Sequence, residues 1–122
     1  PTDYELFMAE SEVIRRLAAE RAAVIIGRLA FHVLRDHPAR ISVYLYANAD
    51  FRAERYAKNY NVALEEAHKA VAKYDRQRKH YCKTFAGVDP ADARNYDLAI
   101  DTARIGSLDK AVDLILSYLQ LR

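Results

Sequence analysis

Glycine is scarce in this sequence: Gly27, Gly87 and Gly106 are the only three in 122 residues. They lie too far apart to build a glycine-rich loop. A phosphate cradle of backbone N–H groups, as in a P-loop, is therefore excluded from these residues. Cysteine is limited to Cys82, so no internal disulfide can form, and a reducing, cytoplasmic compartment is expected. No apolar run approaches the roughly 20 residues of a membrane-spanning helix. The chain opens on Pro1-Thr2-Asp3, with neither an initiator Met nor a basic-then-apolar leader; a processed, trimmed or excised chain is the expectation. Charge of one sign is lacking too. With 19 Lys and Arg against 17 Asp and Glu, the net charge is +2, too little to imply nucleic-acid binding, so the placement of the charges matters more than their sum. His32, His37, His68 and His80 form no i,i+4 pair and no zinc-like cluster with Cys82, so no metal site is expected. No Ser-His-Asp arrangement stands out either.

What is present is a single-domain alternation of helical and strand-like stretches over residues 1–122. Thr2-Asp3-Tyr4-Glu5 has capping-box spacing, and the apolar residues after it predict an amphipathic helix over 3–20. Ala22 to Ile26 is an unbroken apolar run rich in β-branched residues, read as an inner strand covered on both faces. Gly27 then turns the chain and Arg28 emerges at the strand's carboxyl end. Leu29–Arg35 is a short helix with Ala30, Phe31 and Leu34 inward, stopped at Asp36-His37-Pro38. A second strand runs from Ile41 to Ala47, and Asn48-Ala49-Asp50 caps a helix to about Tyr60.

After Asn61 a long helix is predicted over about 62–86, with the stripe Leu64, Ala67, Val71, Tyr74, Arg78, Cys82, Phe85. Arg78 is the odd member, a guanidinium on an apolar face, and Asp75 can orient it at i,i+3. Tyr96–Asp101 is the third strand. Ser107 caps a closing helix with Leu108, Ala111, Val112, Ile115, Leu116 and Leu119 inward. The alternation gives an α/β fold with a parallel sheet.

Parallel strands deliver their exits to one edge, where ligands of open α/β folds bind. That edge receives Arg28, then Asn48, Asp50, Arg52 and Arg55, then Asp101, Thr102 and Arg104. Several guanidiniums facing one crevice repel each other unless an anion lies between them, so a phosphate or similar anion site is expected there. Arg52 and Arg55 can instead solvate an exposed helix and pair with Glu54 or Asp50. Lys69 to Lys83 carries six cations against Asp75 alone. Such a run is ordinarily a solvated helix face; Tyr74, Tyr81 and Phe85 within it allow stacking of single-stranded nucleic acid as a minor alternative, with steep salt dependence.

The ordered set Val24-Ile25-Ile26-Gly27-Arg28, Ser42-Val43-Tyr44-Leu45-Tyr46-Ala47 and Phe51-Arg52-Ala53-Glu54-Arg55 resembles the cytidylate-kinase-like family of P-loop nucleoside monophosphate kinases. So do Tyr74-Asp75-Arg76-Gln77-Arg78 with Tyr81, similar to that family's lid, and Asn95 to Thr102 with Arg104 and Gly106, similar to its last strand and base loop. The resemblance covers most of residues 11–122 and implies a three-layer, P-loop-kinase-like fold, here incomplete at about three strands with flanking helices.

By the same resemblance, Arg76 and Arg78 are the catalytic clamp on the phosphates. Arg28 contacts the acceptor nucleotide, Arg52 or Arg55 assists, and Thr102 to Arg104 borders the donor base; Asp75, by its i,i+3 spacing to Arg78, is placed with the phosphate-binding residues. The parent protein would be a transferase moving a phosphoryl group from ATP, with Mg²⁺ bridging the donor phosphates, to a CMP-like nucleoside monophosphate. Two departures stand out. Leu29 occupies the place where cytidylate kinases carry an acidic residue after Gly-Arg. The family's opening strand, P-loop and acceptor-binding helices have no counterpart here.

In the family's sheet that missing strand lies between those matching Val24–Ile26 and Val43–Tyr46. The expectation is a fragment completed by a missing N-terminal segment, or by a second chain as in a homodimer, and inactive alone. The alternative is a non-catalytic α/β module that lacks the P-loop and binds an anion or a protein. Neither a membrane nor nucleic acid is expected as a partner.

Overall fold

In the computed structural model, which describes residues 2–122, helices and strands alternate along the chain. Helix α1 spans Asp3–Glu20. Its capping box is complete: the Glu5 N–H donates to Thr2 Oγ1 at 3.1 Å, and the Thr2 N–H donates to the Glu5 carboxylate at 3.0 Å. Phe7, Ser11 and Ile14 form its buried face, and the Ser11 hydroxyl is satisfied by donating to the Phe7 carbonyl at 2.8 Å.

Ala22–Ile26 has no regular secondary structure and belongs to no sheet, which corrects the expectation of an inner strand. Val24 is 93% exposed and Ile26 89%. The composition favours a pleated backbone, but among the described residues no neighbouring strand reaches its N–H and C=O groups. Without a ladder and a covering layer, the run stands in solvent apart from Ile25, which packs against the core around Phe7 and Ile14. Gly27, Arg28 and Leu29 follow with φ of +74°, +56° and +57°. Two successive non-glycine residues in the left-handed region are costly. They are held by burial of Leu29 and by the short helix α2 (Ala30–Val33) that starts there.

The sheet has two strands, β1 (Val43–Tyr46) and β2 (Leu98–Asp101), parallel and in register from Val43↔Leu98 to Tyr46↔Asp101. The α/β class with an incomplete parallel sheet is therefore what the chain forms, with two strands rather than about three. The ladder is closed at its start by Asp97, whose carboxylate accepts from the Ser42 N–H at 2.7 Å. At its end the Thr102 N–H donates to the Tyr46 carbonyl at 2.8 Å.

Between the strands lie α3 (Ala49–Tyr60), capped by Asn48, and α4 (Leu64–Ala86), which ends at Gly87 in the left-handed conformation. Asn61, also left-handed, breaks the chain between them as its sequence position suggested. Helix α4 packs in two directions. Its N-terminal half meets α3 through Ala53, Ala67 and Val71, small enough to bring the helices close. Its C-terminal half meets α1 and α2 through Cys82, Phe7, Ile14, Leu29 and Val33, with Tyr81 and Phe85 alongside. Leu64 and Tyr74, placed on the inner stripe from spacing, are exposed because the stripe extends past the surface α3 can cover.

The closing helix α5 (Leu108–Gln120) starts at Ser107 as its sequence predicts. Its apolar face is not inward, however. Ala111 is buried and Ile115 partly so, while Leu108, Val112, Leu116 and Leu119 are exposed. The amphipathic pattern is there, but the described residues provide no layer to receive it. None of the helices among the described residues is long and apolar enough to cross a membrane.

Candidate anion site at the carboxyl edge of the sheet

Because β1 and β2 are parallel, their carboxyl ends deliver Ala47–Asn48 and Thr102 to the same edge. Arg52, one turn into α3, reaches back so that its Nε donates to the Ala47 carbonyl at 2.9 Å. Its two terminal nitrogens donate to the two carboxylate oxygens of Asp75 on α4, both at 2.8 Å. This fork spans β1, α3 and α4 with one guanidinium. The hydrogen bonds from Arg52 hold the Asp75 carboxyl below the usual carboxylate range, aided by the charges of Arg52 and Arg78 and opposed by partial burial. The Arg52 guanidinium is pushed up by the same bonds.

Arg78 lies one turn further along α4, half-buried, with its guanidinium carbon 5.8 Å from the centroid of the Tyr44 ring. Tyr44 is the centre of an aromatic row. It stacks on Tyr96 at 4.7 Å with the rings 11° apart and on Tyr46 at 5.6 Å, and Tyr96 in turn meets Phe31 at 5.1 Å. Burial raises the Tyr96 phenol above its ordinary value, with Arg78 pulling in the opposite direction. Arg78 therefore neither snorkels freely nor is neutralised. It rests on a π face, which favours a cation without cancelling its charge. Arg52 takes both oxygens of Asp75 while Arg78 has no carboxylate partner among the described residues, so two guanidiniums against one carboxylate leave the cluster a net positive charge.

The other residues expected at this edge are dispersed. Arg76 is exposed on α4 and has no ion-pair partner among the described residues. Arg55 lies over the Phe51 ring of its own helix at 4.8 Å. The buried Thr102 hydroxyl donates to the Tyr46 carbonyl at 3.2 Å, tying the strand ends together. The Arg104 side chain is exposed, while its backbone N–H donates to Asp101 Oδ1 at 3.1 Å. Arg28 is brought to a different neighbour, Glu10 of α1, with its Nε 3.8 Å from Oε2. The structure thus brings Arg52, Asp75 and Arg78 together and keeps Arg28 apart on the α1 side of α4.

Tyr44, Tyr96 and Glu10 were not singled out by sequence reasoning. For Glu10 a signal was present: it is three residues from Phe7 and four from Ile14, an acid on a buried stripe, the same anomaly that marked Arg78. For Tyr44 the signal was the Tyr-x-Tyr spacing, which puts Tyr44 and Tyr46 on one face of β1.

Among the described residues no three His, Cys, Asp or Glu side chains gather as a metal site, and no glycine loop cradles a triphosphate.

Comparison with known proteins gives the family. The sequence model of the cytidylate kinase-like family matches residues 1–104. The cytidylate kinase of Methanopyrus kandleri is 36% identical over 99 residues, covering 74% of this chain and 51% of that protein. That of Pyrococcus abyssi is 38% identical over 99 residues, covering 78% of this chain and 53% of that protein. The cytidylate kinase of Saccharolobus islandicus is 28% identical over 116 residues, 93% of this chain and 59% of its own length. The chain therefore spans a little over half the length of the curated relatives it matches. A crystal structure of an uncharacterized protein from Eubacterium ventriosum superposes with a TM-score of 0.88 at 27% identity, over 96% of this chain and 66% of that one. With the family match extending through α1, the parallel strand pair and the Arg52–Asp75–Arg78 cluster, the chain belongs to the cytidylate kinase-like family.

Proposed function

We propose that the protein carrying this chain is a nucleotide-dependent phosphotransferase that moves a phosphoryl group from ATP to a nucleoside monophosphate, with CMP as the acceptor. The observation that carries this reading is the gathering of Arg52, forked on Asp75, and Arg78, resting on the Tyr44 ring, beside the carboxyl edge of two parallel strands. A cluster of net positive charge, braced by a π face and a bidentate fork, binds phosphate oxygens without first having to be ordered. In this reading α4 is the lid. Arg76 and Arg78 clamp the phosphates as charge shifts between oxygens, and Arg28 faces the acceptor. Arg52 or Arg55 assists, and Thr102 to Arg104 lies beside the donor base. Magnesium and the ATP cradle are assigned to no residue of this chain, and the chain alone is inactive.

The remaining machinery is assigned to a further strand and its glycine loop, lying between Val24–Ile26 and β1. The exposed, unladdered backbone of 22–26 supports that assignment. The occupant is a preceding segment of the same protein, or a second copy of the chain, in a cytoplasmic enzyme. The alternative of a non-catalytic anion- or protein-binding module is favoured by one observation, the uncovered apolar face of α5.

The test is ATP-dependent conversion of CMP to CDP by the protein as its gene encodes it, beside the isolated 122-residue chain. Activity in the former and none in the latter is expected, with Arg78→Ala lowering kcat by about 10²-fold or more, as for loss of one preorganised charge-stabilising group. Turnover by the isolated chain refutes its inactivity, and no turnover by the encoded protein refutes the kinase reading.

A further inference from the structure

The run from Lys69 to Lys83 holds six cations, and the fold sorts them. Arg78 rests on the Tyr44 ring, and Asp75, the one acid of the run, is taken by Arg52. The other five, Lys69, Lys73, Arg76, Lys79 and Lys83, are all exposed. At 3.6 residues per turn they fall, with His80, on the side of α4 opposite the buried Ala67, Val71 and Cys82. Between Lys69 and Lys83 that side carries no acid. It is a straight face of one sign, about 21 Å long at the rise of an α-helix.

Helix stability does not account for this face. A solvated helix gains from opposite charges at i,i+4, and like charges at that spacing destabilise it. Here Lys69/Lys73 and Lys79/Lys83 are like pairs at i,i+4, and Lys73/Arg76 and Arg76/Lys79 at i,i+3. Among the described residues only Lys69 has a carboxylate partner, Glu65 of its own helix at 3.9 Å, with both side chains exposed. The rest repel one another until an external anion lies along them. The net charge of +2 conceals the face, because it counts acids that lie elsewhere.

The kind of polyanion follows from what the face lacks. The apolar side of α4 is taken up by α1, α2 and α3, so it is not free to enter a lipid interface as a surface helix does. No large apolar side chain stands among the cations to anchor a protein partner. The stacking platforms of a single-strand site are missing too. Tyr81 and Phe85 pack on Phe7, and Tyr74, though exposed, is two residues from Arg76 and so on the other side of the helix. What remains is a rigid row of point charges, matched to the dense phosphates of a duplex. We propose that this face of α4 docks on the phosphate backbone of double-stranded nucleic acid. Such contacts position the protein without reading bases. The face points away from the strand edge that carries Arg52 and Arg78, so docking leaves that edge free.

The test is fluorescence anisotropy with the gene-encoded protein across a salt series. The probes are a short labelled duplex of mixed sequence, an oligothymidine strand of the same length and an oligoglutamate peptide. Duplex affinity should fall with salt at a log–log slope of about −4, as for four or five phosphate contacts. Lys73→Gln with Lys83→Gln should reduce that slope by about 2, equally for any duplex sequence. Lys73→Arg with Lys83→Arg should keep it. The Gln pair should melt no lower than the wild type, because like charges have been removed. Arg76 stays unaltered, since the kinase reading uses it. No duplex binding at low salt, or a slope that the Gln pair leaves unchanged, overturns the proposal. So does tighter binding of oligothymidine, which marks a stacking site, or of oligoglutamate, which marks an acidic protein partner. None of these outcomes touches the kinase reading, and absence of CMP turnover leaves the docking face standing.

Discussion

Replacing Asp75 by Ala, Arg52 by Ala, and both together isolates the fork that joins α3 to α4. The Arg52 single variant loses two contacts, the fork and the 2.9 Å bond to the Ala47 carbonyl. The second is present or absent equally in both Asp75 backgrounds, so it cancels from the cycle and the coupling term reports the ion pair alone. The geometry is favourable, with both oxygens engaged at 2.8 Å. The setting is not, since the side chains are 33% and 47% exposed. Solvent screening places such a pair at the upper end of surface salt bridges, about 1 kcal/mol. For a chain of this length that corresponds to roughly 4 °C in melting temperature.

Acid supplies an independent check. Asp75 is depressed in the folded state, so its contribution is present above the unfolded carboxylate value of about 4 and is lost as pH falls through the folded value. Urea denaturation of the four proteins at pH 7 and in steps below pH 4 measures both. A coupling under about 0.3 kcal/mol at pH 7, or one that persists unchanged in acid, refutes the claim that the fork holds α4 to the sheet edge.

Tyr44→Leu removes the platform under Arg78 and the stack on Tyr96, and should cost about 1–2 kcal/mol in urea denaturation, whereas Tyr44→Phe keeps both rings and should cost little; equal losses would mean that the aromatic row does not hold Arg78. Val24→Asp should stay within about 0.5 kcal/mol in the isolated chain, where the residue is exposed, and destabilise the gene-encoded protein by several kcal/mol if a further strand covers it; the same small change in both would remove the proposed filler strand.

Local signals were read correctly wherever a short segment determined its own structure. The Thr2–Glu5 box, the Asn48 and Ser107 caps and the Asn61 break all satisfy or interrupt helices using residues within four positions. What sequence could not supply was the identity of the covering layer. Ala22–Ile26 and the apolar face of α5 have the composition of buried elements, and burial is a property of the neighbour as much as of the segment. Arg52 illustrates the same limit at the site. Its position at the edge was legible, but its fork to Asp75, 23 residues away, depends on the angle at which α3 and α4 pack, which Ala53 and Ala67 fix.

The charged residues that mattered most were those out of place. Arg78 on the α4 stripe and Glu10 on the α1 stripe each break an apolar period, and each proves to face a particular side chain, the Tyr44 ring for Arg78 and Arg28 for Glu10. They are joined through one helix. Asp75 and Arg78 meet the strand edge from α4, while Tyr81, Cys82 and Phe85, within two turns, meet α1 and the turn that carries Arg28. A displacement of α4 therefore strains both ends at once: it opens the Arg52 fork and lifts Tyr81 from Glu10 and Arg28. If α4 closes over bound phosphate, the two ends close together, so an acceptor held at Arg28 should tighten phosphate binding at the edge by the strain that the shared helix no longer has to bear.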